Sequence, residues 1–158
     1  MADVAAASGV TPLIVYRHFA SKEELYRAVL ADVAGELRAS MAGAPDPEGY
    51  GLGAGALLMV ARANPDGFRL LWRHATREPQ FASEADALRT EALRQAKSAL
   101  AGLVPPEFLD WAAHATLGYL VEAVLAWLDH GDAAQDEQLV TAINRSLRAG
   151  VRGWADPG

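Results

Sequence analysis

The hydrophobic positions of this chain recur with the period of an α-helix. In the segment 21–41, for example, Leu25, Val29 and Val33 are four residues apart and fall on one face of a helix. No stretch shows a convincing alternation of period two. The most β-like apolar run, at 13–16, lies between helical signals. The pattern therefore predicts an all-α fold.

Glycine, proline and capping residues divide the pattern into separate helices. Thr11 and Pro12 are suited to open one helix, and Ser21 with Glu24 forms an S-x-x-E capping box for the next. The predicted helices cover residues 2–8, 11–19, 21–41, 50–63, 64–76, 81–103, 105–130 and 136–152, with a loop at 43–48. We predict a small head with its connecting helix in 1–41 and a helical body in 42–158.

Composition narrows the possible classes of protein. The 158 residues are 51% hydrophobic, which is too apolar for a disordered chain. The absence of cysteine excludes a disulfide scaffold, a cysteine nucleophile and a thiolate metal site. The net charge of −6 argues against non-specific coating of nucleic acid, but specific DNA binding needs only a local face.

Neither a secretory signal nor a membrane span is expected from the sequence. The opening ten residues contain no basic region followed by a long apolar run. The most apolar stretch, between Leu117 and Leu128, is interrupted by Glu122 and is too short to cross a bilayer. We expect a cytoplasmic protein.

The most informative stretch is at the start of the chain. A short helix, a turn at Gly9 and a second short helix have the form of a helix-turn-helix, in which the second helix enters the DNA major groove. Its exposed start carries Thr11, Leu13 and Ile14, and the apolar pair suggests contact with thymine methyl groups. Side chains that offer hydrogen bonds or charge to phosphates follow at Tyr16, Arg17, His18 and Lys22.

The same stretch closely resembles the TetR family of bacterial repressors. The matching residues are Val4-Ala5, Gly9-Val10, Val15-Tyr16, His18-Phe19, Ser21-Lys22 and Leu25. The resemblance covers about the first 30 residues. It implies base or groove contacts at Thr11, Pro12, Leu13, Ile14 and Tyr16, and phosphate contacts at Tyr16, His18 and Lys22.

Two further expectations follow from the resemblance. Relatives carry another helix of the DNA-binding domain before this point, so either the start is assigned too late, at an internal methionine, or the head is truncated. The remainder of the chain would be a ligand-binding and dimerisation body. The competing interpretation of Tyr16 to Phe19, an ordinary amphipathic helix surface, would leave the glycine turn and the capping box unexplained.

Candidate body residues fall into two sets. A pocket for a small apolar effector is predicted from aromatic and apolar side chains, with one histidine as a polar anchor, at Phe68, Leu71, Trp72, Trp111 and His114. Core packing is the alternative role for the tryptophans. A dimer interface is predicted from the apolar positions of the last two helices, at Leu117, Leu120, Val121, Val124, Leu128, Leu139, Ile143, Leu147 and Val151.

No cofactor, metal site or catalytic constellation is predicted. His74, His114 and His130 lack the spacing of metal ligands. The leading hypothesis is a ligand-responsive repressor that binds a near-palindromic DNA operator as a homodimer. The alternatives are a small-molecule-binding helical dimer that has lost DNA binding and, last, a helical enzyme.

Overall fold

Six α-helices dominate the part of the chain that the computed structural model describes, residues 19–41, 53–75 and 78–155. No strand occurs in these ranges, and the all-α prediction is confirmed. The helices are α1 Lys22–Met41, α2 Ala54–Ala63, α3 Pro65–Arg69, α4 Ala82–Leu100, α5 Leu109–His130 and α6 Asp136–Ala155.

Several features that the sequence predicts lie outside the described residues. They include the two helices of the helix-turn-helix up to residue 18 and the loop 43–48. The DNA-contact residues outside the described ranges are Thr11, Pro12, Leu13, Ile14, Tyr16, Arg17 and His18.

The start of α1 has the predicted capping box. The Ser21 Oγ atom accepts a hydrogen bond from the Glu24 backbone N–H at 3.1 Å. The Glu24 side chain returns a bond, since its Oε2 accepts the backbone N–H of Ala20 at 2.6 Å. Two backbone donors at the helix start are thereby satisfied, which fixes where α1 begins.

The buried face of α1 differs from the predicted one. Leu30, Val33 and Leu37 are fully buried, whereas Leu25 and Val29 are only half-buried. The buried residues are spaced three and four apart, whereas the predicted ones are all four apart. An α-helix has 3.6 residues per turn, so residues at a constant spacing of four gradually turn away from a neighbouring helix.

The α2–α3 junction follows its sequence signals. The Asn64 side chain accepts the Gly67 backbone N–H at 2.9 Å, and Pro65 occupies the first turn of α3. α3 then widens into a π-helical turn, Leu70–His74, which the sequence pattern did not predict.

The two ends of α4 lie inside the predicted span 81–103. Phe81 is the residue before the helix, and α4 ends at Leu100. Gly102 has a φ of 78°, in the left-handed region, and the Leu103 backbone N–H bonds to the Leu100 carbonyl at 2.9 Å. This turn ends the helix earlier than predicted, because glycine adopts positive φ without a steric penalty.

The helices pack around a main core and a smaller one. α2 contacts α1, α3, α5 and α6, and the contacts of α5 extend to α4 and α6. The main core includes Leu30, Phe68 and Val124, whereas the smaller core includes Leu100 and Val151 at the far ends of α4 and α6. α1 is therefore fixed to the body along the length of its buried face.

The predicted helix 105–130 is present as a 3₁₀ turn, Pro106–Phe108, followed by α5. Including its leading 3₁₀ turn, the segment Pro106–His130 has 25 residues and passes the length and composition test for a membrane span. The apolar stretch from Leu117 to Leu128 is thus part of a longer apolar helix. A central core helix passes the same test, and 44% of the most apolar window is buried inside the chain. Length and composition alone thus assign no membrane location.

Three helices meet at a polar contact on Asp136. The Arg62 guanidinium donates to both carboxylate oxygens of Asp136, at 3.0 and 2.8 Å. The indole Nε1 of Trp127 donates to the same carboxylate at 2.7 Å. These hydrogen bonds, those of Arg62 foremost, hold the pKa of Asp136 below its ordinary value of 3.8. The contact joins α2, α5 and the start of α6.

The Asp136→Asn variant is expected to lose about 1 kcal/mol of unfolding free energy at pH 7, because Asp136 and Arg62 are partly exposed to water. Since folding lowers the pKa of Asp136, its stabilisation is present above the unfolded pKa and is lost as the pH falls through the folded value. Urea unfolding at pH 7 and at about pH 2–3 measures both. A deficit of the same size at both pH values would contradict this assignment.

Candidate functional site

The described residues begin where the predicted DNA-binding segment ends. Lys22, the first residue of α1, is exposed beside the capping box. Its neighbour Glu23 has a lowered pKa, chiefly because the carboxylate accepts a backbone hydrogen bond and secondarily because of Ser21. Acidic side chains near the N-terminus of a helix interact favourably with the helix dipole, so Glu23 stabilises α1. The exposed side chain of Lys22 remains available to a phosphate.

α1 is held to the body by an aromatic contact just after this junction. The rings of Tyr26 and Phe81 are stacked, with centroids 4.0 Å apart and planes at 21°. The Arg27 guanidinium lies 5.6 Å from the centroid of the Phe81 ring. Phe81, which precedes α4, is itself buried. A displacement of the α4 start would therefore act on α1 one turn after Lys22.

The five predicted pocket residues lie in two separate groups. Phe68 and Leu71 are buried in the main core, and Trp72 packs against it with its ring centroid 6.3 Å from that of Phe68. Trp111 is 53% exposed and makes an edge contact with Trp154, near the smaller core. His114 is also exposed, and its Nδ1 lies 2.8 Å from the Asp110 carbonyl oxygen. Of the predicted pocket residues, Phe68, Leu71 and Trp72 thus lie between the packed helices of the body.

Three buried polar atoms in the described part of the chain have no hydrogen-bond partner. They are the Tyr26 hydroxyl oxygen, the Trp72 indole nitrogen and the Thr116 hydroxyl oxygen. The pKa of Tyr26 is raised, first by burial and then by the nearby Glu78 carboxylate. Sequence reasoning selected Trp72 as an aromatic side chain but gave no sign that Tyr26 would turn inwards.

Two depressions are formed wholly between described helices. An open groove of about 510 Å³ between α2 and α6 is lined by Leu58, Met59 and Val140, among others. A smaller cleft of about 230 Å³ between α5 and α6 includes Tyr119 and Trp154. No group of three potential ligands among the His, Asp and Glu residues of the described ranges could hold a metal ion.

Residues 1–29 match the model of the family described as bacterial regulatory proteins, tetR family. The match covers 29 of the 158 residues, so the similarity to this family is shown for the start of the chain. The matched segment includes the whole predicted helix-turn-helix, the capping box and the first turns of α1. No curated protein matches the chain.

The predicted dimer residues lie largely within the chain's own fold. Seven of the nine are buried, at Leu117, Leu120, Val121, Val124, Ile143, Leu147 and Val151, and Leu128 and Leu139 pack partly against the main core. The seven contribute to the core of this chain, and their contact with a partner chain stays a prediction. The prediction used the largest apolar residues, and these are the ones that the body needs for its core.

The outer faces of α5 and α6 show a different pattern. Along α5, mostly small residues with one exposed tryptophan are spaced four, three, four and four apart, at Trp111, Ala115, Gly118, Glu122 and Ala126. Along α6, the corresponding outward residues are Leu139, Ala142, Ser146, Ala149 and Gly153. We call these two rows the outer seam. Their spacing is visible in the sequence and could have been found there as a second helical face.

Proposed function

We propose that this protein is a DNA-binding transcriptional regulator of the TetR family, and specifically a ligand-responsive repressor that binds a near-palindromic operator as a homodimer in the cytoplasm. The match of residues 1–29 to the family is the observation that supports DNA binding most directly. Repression, dimerisation and the response to a ligand go beyond that match and are supported by the separate arguments that follow.

DNA contact is assigned to the start of the recognition helix and to the residues after it. Thr11, Pro12, Leu13 and Ile14 are proposed to reach base edges, where apolar side chains meet thymine methyl groups. Contacts to phosphates, which set the register on the duplex, are proposed for Tyr16, Arg17, His18 and Lys22. The capped start of α1 supports the last of these, because it fixes the backbone of Lys22.

The Lys22→Gln variant is expected to weaken binding to all DNA sequences alike. Loss of one phosphate contact should reduce the slope of log affinity against log salt by about 0.9 per subunit. Arg94→Gln is the matched control, since it removes one positive charge from α4, where Arg94 pairs with Glu91 on the exposed surface. Fluorescence anisotropy from 50 to 300 mM salt measures both slopes. Equal slopes for Lys22→Gln and the unmodified protein would exclude the contact.

The outer seam is the surface proposed for the partner chain. Small residues let two helix backbones approach closely, and the three- and four-residue spacing is that of helices packed in a bundle. Trp111 and Tyr119 supply exposed aromatic area of the kind enriched at interfaces. α5 and α6 of two chains would together form a four-helix bundle about a two-fold axis.

The Gly118→Arg variant is expected to prevent dimerisation without unfolding the chain. A Cβ atom at Gly118 would meet nothing within 4 Å inside the chain, so an arginine there projects from the outer seam into the space of a partner. Gly35→Arg is the control, since Gly35 is equally open but lies on α1.

Sedimentation velocity at about 10 μM, a concentration at which stable homodimers persist, separates the outcomes. The account predicts a dimer for the unmodified protein and for Gly35→Arg, and a folded monomer for Gly118→Arg. A dimeric Gly118→Arg variant would remove the outer seam from the interface, and a monomeric unmodified protein would remove the homodimer.

Ligand response is proposed to begin among the helices of the body. A small apolar effector that binds one arrangement of the helices better than another would shift the population towards it. If that arrangement spaced the two DNA-binding heads incorrectly for the operator, affinity for DNA would fall. The contact of Phe81 with Tyr26 and Arg27 offers a direct path from the α4 start to the head.

A further inference from the structure

The π-helical turn Leu70–His74 departs from the α-helical geometry of α3, which it continues. The backbone N–H of Ala75 bonds to the Leu70 carbonyl, five residues back. Leu71 anchors the turn in the core, while Arg69 and Arg73 both pair with Asp129 of α5 at 2.9 Å. Such turns are rare and occur frequently at functional sites. The contacts on both sides of this one hold it in place.

The central residue of the turn carries a donor without an acceptor. The Nε1 atom of Trp72 is fully enclosed and has no hydrogen-bond partner. Trp127 shows the ordinary arrangement, since its Nε1 donates to Asp136 at 2.7 Å. An indole N–H can only donate, so an acceptor has to come from elsewhere. A buried donor without an acceptor raises the free energy of the unliganded protein, because the donor has lost its hydrogen bond to water.

A second such atom lies on the helix that packs against the turn. The Tyr26 hydroxyl on α1 is enclosed and without a partner, and α1 contacts the π-helical turn. Thr116 differs from these two, because a helical threonine reaches the carbonyl four residues back by a small rotation of its side chain. The tyrosine and tryptophan rings cannot reach a backbone carbonyl of their own helix in this way, and Glu78, whose charge acts on Tyr26, makes no hydrogen bond with its hydroxyl. Two enclosed donors therefore belong to neighbouring elements.

We propose that the effector carries a hydrogen-bond acceptor, such as a carbonyl or ether oxygen, that receives the Trp72 indole N–H and the Tyr26 hydroxyl. This inference rests on the proposed function and specifies the chemical class of the effector. Trp72 and Tyr26 are its specificity-determining residues, and a pure hydrocarbon of the same shape binds less well. Since Tyr26 also stacks on Phe81, the same hydrogen bond acts on the helix that leads to the DNA-binding segment.

Nuclear magnetic resonance of ¹⁵N-indole-labelled protein tests the proposal directly. The four tryptophans give four indole signals, and Trp72→Phe assigns the one that matters. Cyclopentanone and cyclopentane serve as probes, since they share a ring and differ in the acceptor oxygen. Cyclopentanone is expected to move the Trp72 signal downfield and saturably, while the Trp127 signal, already hydrogen-bonded, stays in place.

Two variants separate hydrogen bonding from mere filling of space. Tyr26→Phe is expected to weaken cyclopentanone binding about fivefold to tenfold, as one lost hydrogen bond predicts. Thr90→Val, which removes a hydroxyl from an exposed residue of α4, should leave it unchanged. If cyclopentane acted like cyclopentanone, or if the Trp72 signal responded to neither, the proposal would be overturned.

Measuring the affinity for DNA in the presence of the same probes distinguishes failure of the acceptor-site proposal from failure of the proposed function. Binding of the ketone at Trp72 with no change in operator affinity supports the acceptor site and contradicts the ligand response. Release of DNA by an effector that lacks any acceptor supports the ligand response and overturns the acceptor site.

Discussion

Replacing Phe68 by alanine is expected to lower the free energy of unfolding by about 3–5 kcal/mol. Phe68 is fully buried and is the largest of the fully enclosed side chains in the described ranges. It joins α3 to the main core, where α1, α2 and α5 also meet. Removing the ring takes away its apolar burial and leaves a cavity that packed helices fill only in part.

Phe108→Ala provides the control for this change. Phe108 is 38% exposed before α5, so the same chemical truncation should cost about 1 kcal/mol or less. Urea unfolding followed by circular dichroism gives both values. Since small domains are stable by only about 5–15 kcal/mol, the folded fraction of Phe68→Ala at 37 °C should also be measurably lower than that of the unmodified protein. Equal losses for the two variants would contradict the burial of Phe68.

Gly67→Ala is expected to cost about 2–4 kcal/mol, a large effect for the addition of one methyl group. A Cβ atom at Gly67 would lie 2.6 Å from the Asn64 side-chain oxygen and 2.7 Å from a methyl group of Val33. The first of these atoms caps α3 through the Gly67 backbone N–H, and the second belongs to the buried face of α1. The methyl group would therefore disturb the cap and the α1–α3 packing together.

The opposite sign is expected at Gly35. A Cβ atom there meets nothing within 4 Å, and Gly35 lies in the interior of α1. Alanine at this position should raise the free energy of unfolding by about 0.5–1 kcal/mol, because glycine is the less favourable residue in a helix. Urea unfolding of both variants provides the comparison. Destabilisation by Gly35→Ala, or a neutral Gly67→Ala, would show that α1 and α3 are packed differently.

Local signals in the sequence were sufficient for much of the fold. The capping box at Ser21 and the Asn64-Pro65 helix start are formed by residues a few positions apart, and the structure contains both. The π-helical turn has no comparable signal, because Leu70 to His74 also suits an ordinary helix. Its contacts with Asp129 join residues about 60 positions apart, which no local pattern reveals.

The functional surfaces were predictable to different degrees. The DNA-binding segment could be recognised because its turn and capping residues have fixed spacing, and the family match supports it. The faces of α5 could not be assigned, since an apolar residue has the same sequence signal whether it contacts its own core or a partner. Leu120 and Val124 illustrate the point, because both are enclosed within one chain.

The central claim is specific DNA binding by this chain, and fluorescence anisotropy tests it most directly. The labelled duplex carries the DNA immediately upstream of the gene, and a shuffled duplex of the same composition is the competitor, at 150 mM salt. The 158-residue chain is measured beside a version extended through any in-frame codons upstream. The account predicts that at least one form binds the upstream duplex about 10³-fold or more tightly than the shuffled one. Equal affinity of both forms for the two duplexes would contradict it and would favour a helical dimer that binds small molecules without reading DNA.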